Sequence, residues 1–178
     1  YRPSSAIIFC NTKSDTHLVE VLLRRRGFDA RRINSDLSQK QRDRIIKRIR
    51  DRELQFLIAT DIAARGLDIE QIDLVVNYSI PEQSELYIHR TGRTGRAGKS
   101  GRAISLVSAR DFGPFHHLTK VVDVKFSKMN PPKEEEVADA RLVHLYEALR
   151  TSSVELRERD TLVAQKLLLE IGEIAEPN

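Results

Sequence analysis

Ala6-Ile7-Ile8-Phe9-Cys10 is a short apolar run with β-strand character, and the chain then changes period. In Asp15–Arg26 the residues Leu18, Val19, Leu22 and Leu23 recur on one helical face, and Gly27 follows as a C-terminal stop. Arg31–Ser35 returns to a strand pattern. Downstream, Ser38–Arg52 opens on a serine able to cap a helix and sets Ile45, Ile46 and Ile49 against seven Arg or Lys residues. Phe56–Thr60, Leu74–Ile80, Arg102–Ser108 and a weaker Val122–Phe126 supply further strand-like runs. Pro81–Gly92 and Asp111–Val121 supply further helices. Strands that alternate with helices predict an α/β fold, a parallel sheet sandwiched by helices. In such a sheet, function collects on the loops beyond the carboxyl ends of the strands.

Pro131-Pro132 followed by Glu134-Glu135-Glu136 marks a boundary, since two prolines stop regular structure and the acids suit a new helix start. The expected organisation is an α/β domain over 1–130 and a helical extension over 131–178. Ala138, Leu142, Leu145 and Leu149 follow helical spacing, Thr151-Ser152-Ser153 makes a turn, and Val154–Ala175 reads as a second helix, apolar nearly all round.

With 40% hydrophobic and 31% charged residues, the 178-residue chain can bury an ordinary core. No apolar run approaches the ~20 residues of a membrane span. A single cysteine, Cys10, excludes an internal disulfide framework and suits a reducing compartment, so the expected location is cytoplasmic. The chain opens at Tyr1, immediately before a strand-like run, which suggests a piece of a longer protein. The net charge of +4 hides a division. Residues 134–178 carry eleven acids against five bases, while 1–133 carry 25 bases against 15 acids. The basic body suits a polyanion, and a merely solvated basic surface is the alternative on charge alone.

The chemistry concentrates in His89-Arg90-Thr91-Gly92-Arg93-Thr94-Gly95-Arg96. Glycines let backbone approach a ligand, and Arg93 and Arg96, three apart, can point the same way. Guanidinium groups fork onto phosphate oxygens and hold their charge at any pH. Gly98-Lys99-Ser100 imitates the end of a phosphate-binding P-loop, but the first glycine of that pattern would fall on Arg93, and a strand follows instead of a helix. Phosphate-seeking arginines without a phosphate cradle are half of an active site. Asp111-Phe112-Gly113 spells a kinase triplet without its companions and reads better as a helix N-cap. His116-His117 lacks partners at ligand spacing, so no metal site is expected, and Cys10 reads as core.

Four segments occur in order: Ala6–Lys13, Gln39-Lys40-Gln41-Arg42, Ala59-Thr60-Asp61 with Ala64-Arg65-Gly66-Leu67-Asp68, and His89–Arg96. Together they resemble the motif series of the second RecA-like domain of DEAD-box RNA helicases, over roughly residues 4–130. The resemblance implies that Arg93 and Arg96 are fingers on the γ-phosphate of ATP. It implies that Asp68 bonds the ATP ribose, with Arg65 and Gly66 in the same loop. Thr60, Arg42, Asn11 and Lys13 would contact the RNA backbone with Gln39 in support, and His89 and Arg90 would bridge to an N-terminal RecA-like domain. Mg²⁺ would be held mainly by that absent domain. The family's usual glycine is replaced here by Ser35, in Asn34-Ser35-Asp36, which puts one RNA phosphate contact in question. Rival readings stand beside these: Thr60 as a helix cap, Asp68 as a partner for Arg65, Arg42 as a solvated surface residue.

The implied activity is ATP-dependent RNA unwinding by a two-domain enzyme of which this chain alone is catalytically incomplete. The tail more loosely resembles the extension of some bacterial cold-shock members, which implies a homodimer through 134–178. Folding back on its own domain is the alternative.

Overall fold

A computed structural model describes residues 3–67, 69, 72–95 and 101–151. The expected turn at Ser152-Ser153 and the helix over Val154–Ala175 lie outside the described residues, as do Asp68 and Arg96. The strands β1 (Ala6–Phe9), β2 (Ala30–Ile33), β3 (Phe56–Ala59), β4 (Leu74–Asn77) and β5 (Arg102–Ser105) form one parallel sheet in the order β2-β3-β1-β4-β5. β1 is central: Ile7 stands beside Leu57 and Val75, and Ile8 beside Ile58 and Val76.

Side chains alternate between the faces of a strand, so a doubly covered sheet needs both parities apolar. Ile7, Phe9, Leu57, Ala59 and Val75 face one side, where they meet Ile33, Ile49, Leu54 and Ala63. Ile8, Cys10 and Ile58 face the other side, with Ala30 and Val19 and the partly buried Leu23. Ile49 lies on α2 (Gln39–Arg50) and Val19 on α1 (Lys13–Arg25), so those two helices cover opposite faces.

The starts of α1 and α2 follow side-chain capping. Thr12 Oγ1 accepts the Asp15 N–H at 3.1 Å, which begins α1 at Lys13, two residues ahead of the sequence expectation. Gly27 takes φ +84° behind it. Ser38 and Gln41 close a capping box: the Gln41 N–H donates to Ser38 Oγ at 3.3 Å and the Ser38 N–H to Gln41 Oε1 at 2.9 Å. β3 runs into the single-turn α3 (Asp61–Ala64), and β4 leads to α4 (Ser84–Thr91).

Three expectations are corrected. Val122–Phe126 forms no strand; its apolar residues pack instead, Val122 with Ile80, Tyr87 and Leu118, and Phe126 edge-on to Phe115 at 5.2 Å. β4 ends at Asn77, and Ile80 is buried in that same cluster from a loop. Asp111 makes no side-chain cap for α5 (Phe112–Val121); its carboxylate accepts the Ser108 N–H at 3.0 Å and closes the preceding 3₁₀ turn.

The chain divides into two compact units between Phe126 and Ser127. The second contains α6 (Glu134–Thr151), whose first turn holds Glu134, Glu135 and Glu136; Glu136 accepts the Lys133 N–H at 2.9 Å. The acids sit where the helix dipole favours them.

Two expected outcomes follow from this packing. Leu57→Ala, at a fully buried position, should cost about 2–5 kcal/mol in a urea titration. Burial pushes the Cys10 thiol up to about 12 from 9.0; the Asp15 charge adds to the rise and Arg90 opposes it. Cys10 should therefore resist alkylation at pH 8 in the folded chain and react fully in denaturant. Its raised value favours the folded state fully below about pH 9, and that contribution disappears as pH climbs toward about 12.

Candidate functional site

The order β2-β3-β1-β4-β5 places a topological switch between β1 and β4, since their connections leave in opposite directions. The crevice beyond the carboxyl ends of those strands is organised around Arg90 on α4. Arg90 is 1% exposed, yet every guanidinium N–H finds an acceptor. Nε and Nη2 fork onto Asp61 at 2.7 and 2.6 Å. Nη2 also donates to Asn11 Oδ1 at 2.9 Å, and Nη1 to Ser79 O at 2.8 Å and Asn77 Oδ1 at 3.3 Å. The guanidinium lies 5.3 Å from the Phe9 ring centroid. Asn77, itself fully buried, passes its Nδ2 hydrogen to Ser105 Oγ at 3.2 Å. One cation thus ties together the carboxyl ends of β1, β3 and β4, and through Asn77 reaches β5.

A burial this complete commits all of Arg90's side-chain donors to acceptors within the domain. The adjacent His89 is exposed. Asn11, expected on RNA, has its amide in the same network, accepting from Arg90 and donating to Ile80 O at 2.9 Å.

One helical turn beyond Arg90, the half-buried Arg93 donates from Nη1 to Leu67 O at 3.2 Å, while its own carbonyl accepts the Ile72 N–H at 3.2 Å. Arg93 therefore lies against the loop that leaves α3. Tight backbone permits this: a Cβ on Gly92 would sit 3.1 Å from Ile88 O, and Gly66, in the facing loop, takes φ +74°.

Beside that loop, Arg42 on α2 donates from Nη2 to Ala63 O at 3.0 Å, whereas its shielded Nε has no partner. Thr60 Oγ1 accepts the Ala63 N–H at 3.4 Å, so Thr60 caps α3 and keeps its hydroxyl hydrogen to donate. Gln39 Nε2 bonds Asp43 at 2.8 Å. Arg42, Gln39, Arg65 and Gly66 line one open groove of about 470 Å³ between α2 and the loop behind α3.

Comparison with known proteins gives this geometry its context. Residues 1–98 match the family of the helicase conserved C-terminal domain. The chain superposes on the DEAD-box protein SrmB of E. coli, solved bound to regulator of ribonuclease activity A, with TM-score 0.66 and 31% identity, covering 75% of this chain and 84% of that one. The chain belongs to the DEAD-box helicase C-terminal domains. Domain 2 of the DEAD-box helicase Mss116p, solved bound to an RNA duplex, gives TM-score 0.64 and 26% identity over 76% of this chain and 55% of that one. An ATP-dependent RNA helicase DeaD of Buchnera aphidicola is 40% identical over 139 residues, 78% of this chain. The chain spans 23% of that relative's length.

Within the domain, the structure groups some expected site residues and separates others. Thr60, Arg42, Gln39, Arg65 and Gly66 share one edge, with Arg93 at its far side through Leu67. Lys13 pairs with Asp36 at 3.2 Å, and that same carboxylate collects Asn34 Nδ2 at 3.1 Å and Ser35 Oγ at 3.4 Å. Among the described non-glycine residues only Arg52 has positive φ, so Ser35 sits in ordinary backbone and its position demands no glycine. Asp61, Asn77 and Ser79 escaped the sequence reading as site residues. A polar Asn77 in an otherwise apolar strand was the available signal.

Removing Arg90 strands the Asp61 carboxylate in this enclosure. Arg90→Met should destabilise the fold by about 3–5 kcal/mol in a urea titration, against about 0.5–1.5 kcal/mol for Arg93→Ala, which loses one hydrogen bond to a neutral carbonyl.

Proposed function

We propose that this domain is the second half of an ATP-dependent RNA helicase, supplying Arg93 and Arg96 to the γ-phosphate of ATP and a backbone track to RNA. The observation that carries the reading is the resting place of Arg93. Its guanidinium leans on a neutral carbonyl, and among the described residues no carboxylate is within ion-pair distance. An arginine held so lightly beside a glycine-shaped loop is free to turn to a phosphate, for which its fork is suited. Asp68 would take the ribose from the same loop, next to Arg65 and Gly66. A donor set of guanidinium groups attracts phosphate and repels a dication, so Mg²⁺ belongs with the N-terminal RecA-like domain, which would also bring the phosphate cradle.

RNA would lie along Thr60, Arg42 and Gln39, with Lys13 and Ser35 at the margin. Thr60 has a hydroxyl hydrogen to offer and Arg42 an under-used guanidinium. The RNA-bound second domain of Mss116p supports this assignment. Such contacts read phosphates and 2′-hydroxyls, so sequence preference should be low. His89, exposed on α4, would contact the N-terminal domain, with Arg90 beside it fixing α4 for that contact. Closure of the two domains would bring Arg93 onto the nucleotide and bend the bound strand. The working compartment is the cytoplasm, a reading supported by the lone buried thiol.

A second reading concerns the extension alone. Leu142 and Val143 of α6 are exposed, which favours a homodimer through 134–178. Light scattering on the chain with and without those residues tests it, and a monomer in both cases refutes it.

In the complete enzyme, Arg93→Ala should lower the rate of ATP hydrolysis by ~10³–10⁵ with RNA affinity little changed, measured by coupled ATPase assay and fluorescence anisotropy. Hydrolysis at the normal rate would exclude the finger role. The 178-residue chain alone should show no RNA-stimulated hydrolysis.

A further inference from the structure

At the amino edge of the sheet, separate parts of the chain meet on one carboxylate. Asp73 directly precedes β4, and Ser4-Ser5 directly precede β1, its neighbour in the sheet. Asp73 Oδ2 accepts the Ser4 N–H at 2.9 Å, the Ser5 N–H at 3.2 Å and the Ser4 hydroxyl. Ser4 Oγ in turn accepts from Arg52 Nη1, and Arg52 Nη2 lies 3.7 Å from Asp73 Oδ1. Desolvation pushes the Asp73 carboxyl upward, but the bonds from Ser4 and Ser5 and the Arg52 charge outweigh it and hold the group below its ordinary 3.8. Arg52 reaches this place from strained backbone. It follows α2 with φ +59°, a left-handed conformation that glycine adopts more easily. A side chain kept where glycine fits better points to a use for that side chain.

The other flank of the same segment leads to the proposed finger. The Ile72 N–H donates to the Arg93 carbonyl at 3.2 Å, and Thr94 Oγ1 donates to the Asp73 carbonyl at 3.5 Å. Ile72-Asp73 therefore stands between the entrance of β1 and the backbone of Arg93-Thr94. The Arg93 side chain rests on a neutral carbonyl, so the place it can reach is set by where its main chain is held.

We propose that Asp73, braced by Arg52, is a positioning residue for Arg93: by gathering Ser4, Ser5 and Arg52 it fixes the Ile72-Asp73 segment to which the Arg93 backbone is bonded. The inference rests on the finger reading above and adds the residues that aim the finger. A finger acts on charge that develops in the transition state. Displacing it lowers the rate of the chemical step and leaves binding of the ground-state nucleotide nearly unchanged. Misplacement by about 1 Å, caused from far away, can cost as much as about 10²-fold in rate. Asp73 touches neither nucleotide nor RNA in this scheme and acts through the main chain of its neighbour.

RNA-stimulated ATP hydrolysis by the complete enzyme, followed in single turnover, reads the chemical step, and the enzyme concentration at half-maximal rate reports ATP affinity. The variants are Asp73→Ala, Arg52→Gly, Arg93→Ala and a control, Asp29→Ala. The control removes another carboxylate from the amino edge of the sheet, the partner of Arg48 at 2.7 Å ahead of β2. Asp73→Ala should slow hydrolysis about tenfold with ATP affinity held within about twofold, while Asp29→Ala keeps the unaltered rate. Arg52→Gly puts a residue suited to φ +59° in place of a strained one. Its urea midpoint should stay close to the unaltered one while its rate falls about threefold, a split that a merely structural clamp would not produce. An unaltered rate in Asp73→Ala or in Arg52→Gly, with Arg93→Ala inactive, would overturn the positioning role and leave the finger reading standing. Equal slowing in Asp29→Ala, or an equal loss of ATP affinity, would mean general loosening and would also overturn it. A normal rate in Arg93→Ala would overturn the finger reading itself, and this inference with it. Should Asp73→Ala not fold, Arg52→Gly decides the matter alone.

Discussion

The fork of Arg90 on Asp61 organises everything at the carboxyl edge of the sheet. A parallel sheet delivers its strands to one edge as separate loops, and nothing in the strand pairing itself fixes those loops relative to each other. Here one buried guanidinium does so, with acceptors drawn from the ends of β1, β3 and β4 and a relay through Asn77 to β5. Burying a charge is unfavourable unless it is paired and fully hydrogen-bonded. Arg90 meets both conditions, which makes the arrangement intolerant of partial substitutes. Lysine lacks the planar fork, and methionine leaves Asp61 without its counterion.

Because α4 is pinned at Arg90, the next turn of chain delivers Arg93 to a defined place. The two arginines share one motif and divide its labour by burial. Arg90 makes the edge rigid, and Arg93, half-buried and held by one neutral acceptor, retains freedom to change partners. Arg42 forms a third type, bracing the Ala63 carbonyl while part of its bonding capacity stays unused. The domain thus carries its positive charge in graded states of commitment, from fully internal to open. That gradation suits the proposed phosphate-binding role of this edge, since charges already neutralised by neighbours add little attraction.

Much of the architecture was legible in the sequence for a simple reason. Both parities of β1 and β3 are apolar, and only a doubly covered parallel sheet accepts that, so the strand–helix alternation led directly to the fold. Helix starts were legible where a side chain caps them, as Ser38 does, and blurred at Thr12, where the cap precedes the apolar stripe. Val122–Phe126 misled because local apolar content cannot distinguish a strand from a packed irregular segment. At the site, residue types pointed toward the proposed phosphate chemistry, but not to which guanidinium was occupied. The partners of Arg90 lie 11 to 79 positions away along the chain, beyond the reach of any local pattern. The same holds for Thr60: capping and ligand contact require the same residue type, and its geometry serves the first while leaving a hydrogen for the second.

Cys10 has a practical consequence for experiments on this domain. The chain's only thiol is sealed in the sheet and electrostatically discouraged from ionising. A cysteine introduced on any exposed helix therefore becomes the sole reactive handle, with no need to delete the native one and disturb the strand that holds it. Dyes or spin labels could be placed in pairs on α1, α2 or α5, and distances read between chosen elements as ligands come and go. A buried core residue thereby makes the natural sequence a ready background for spectroscopic rulers.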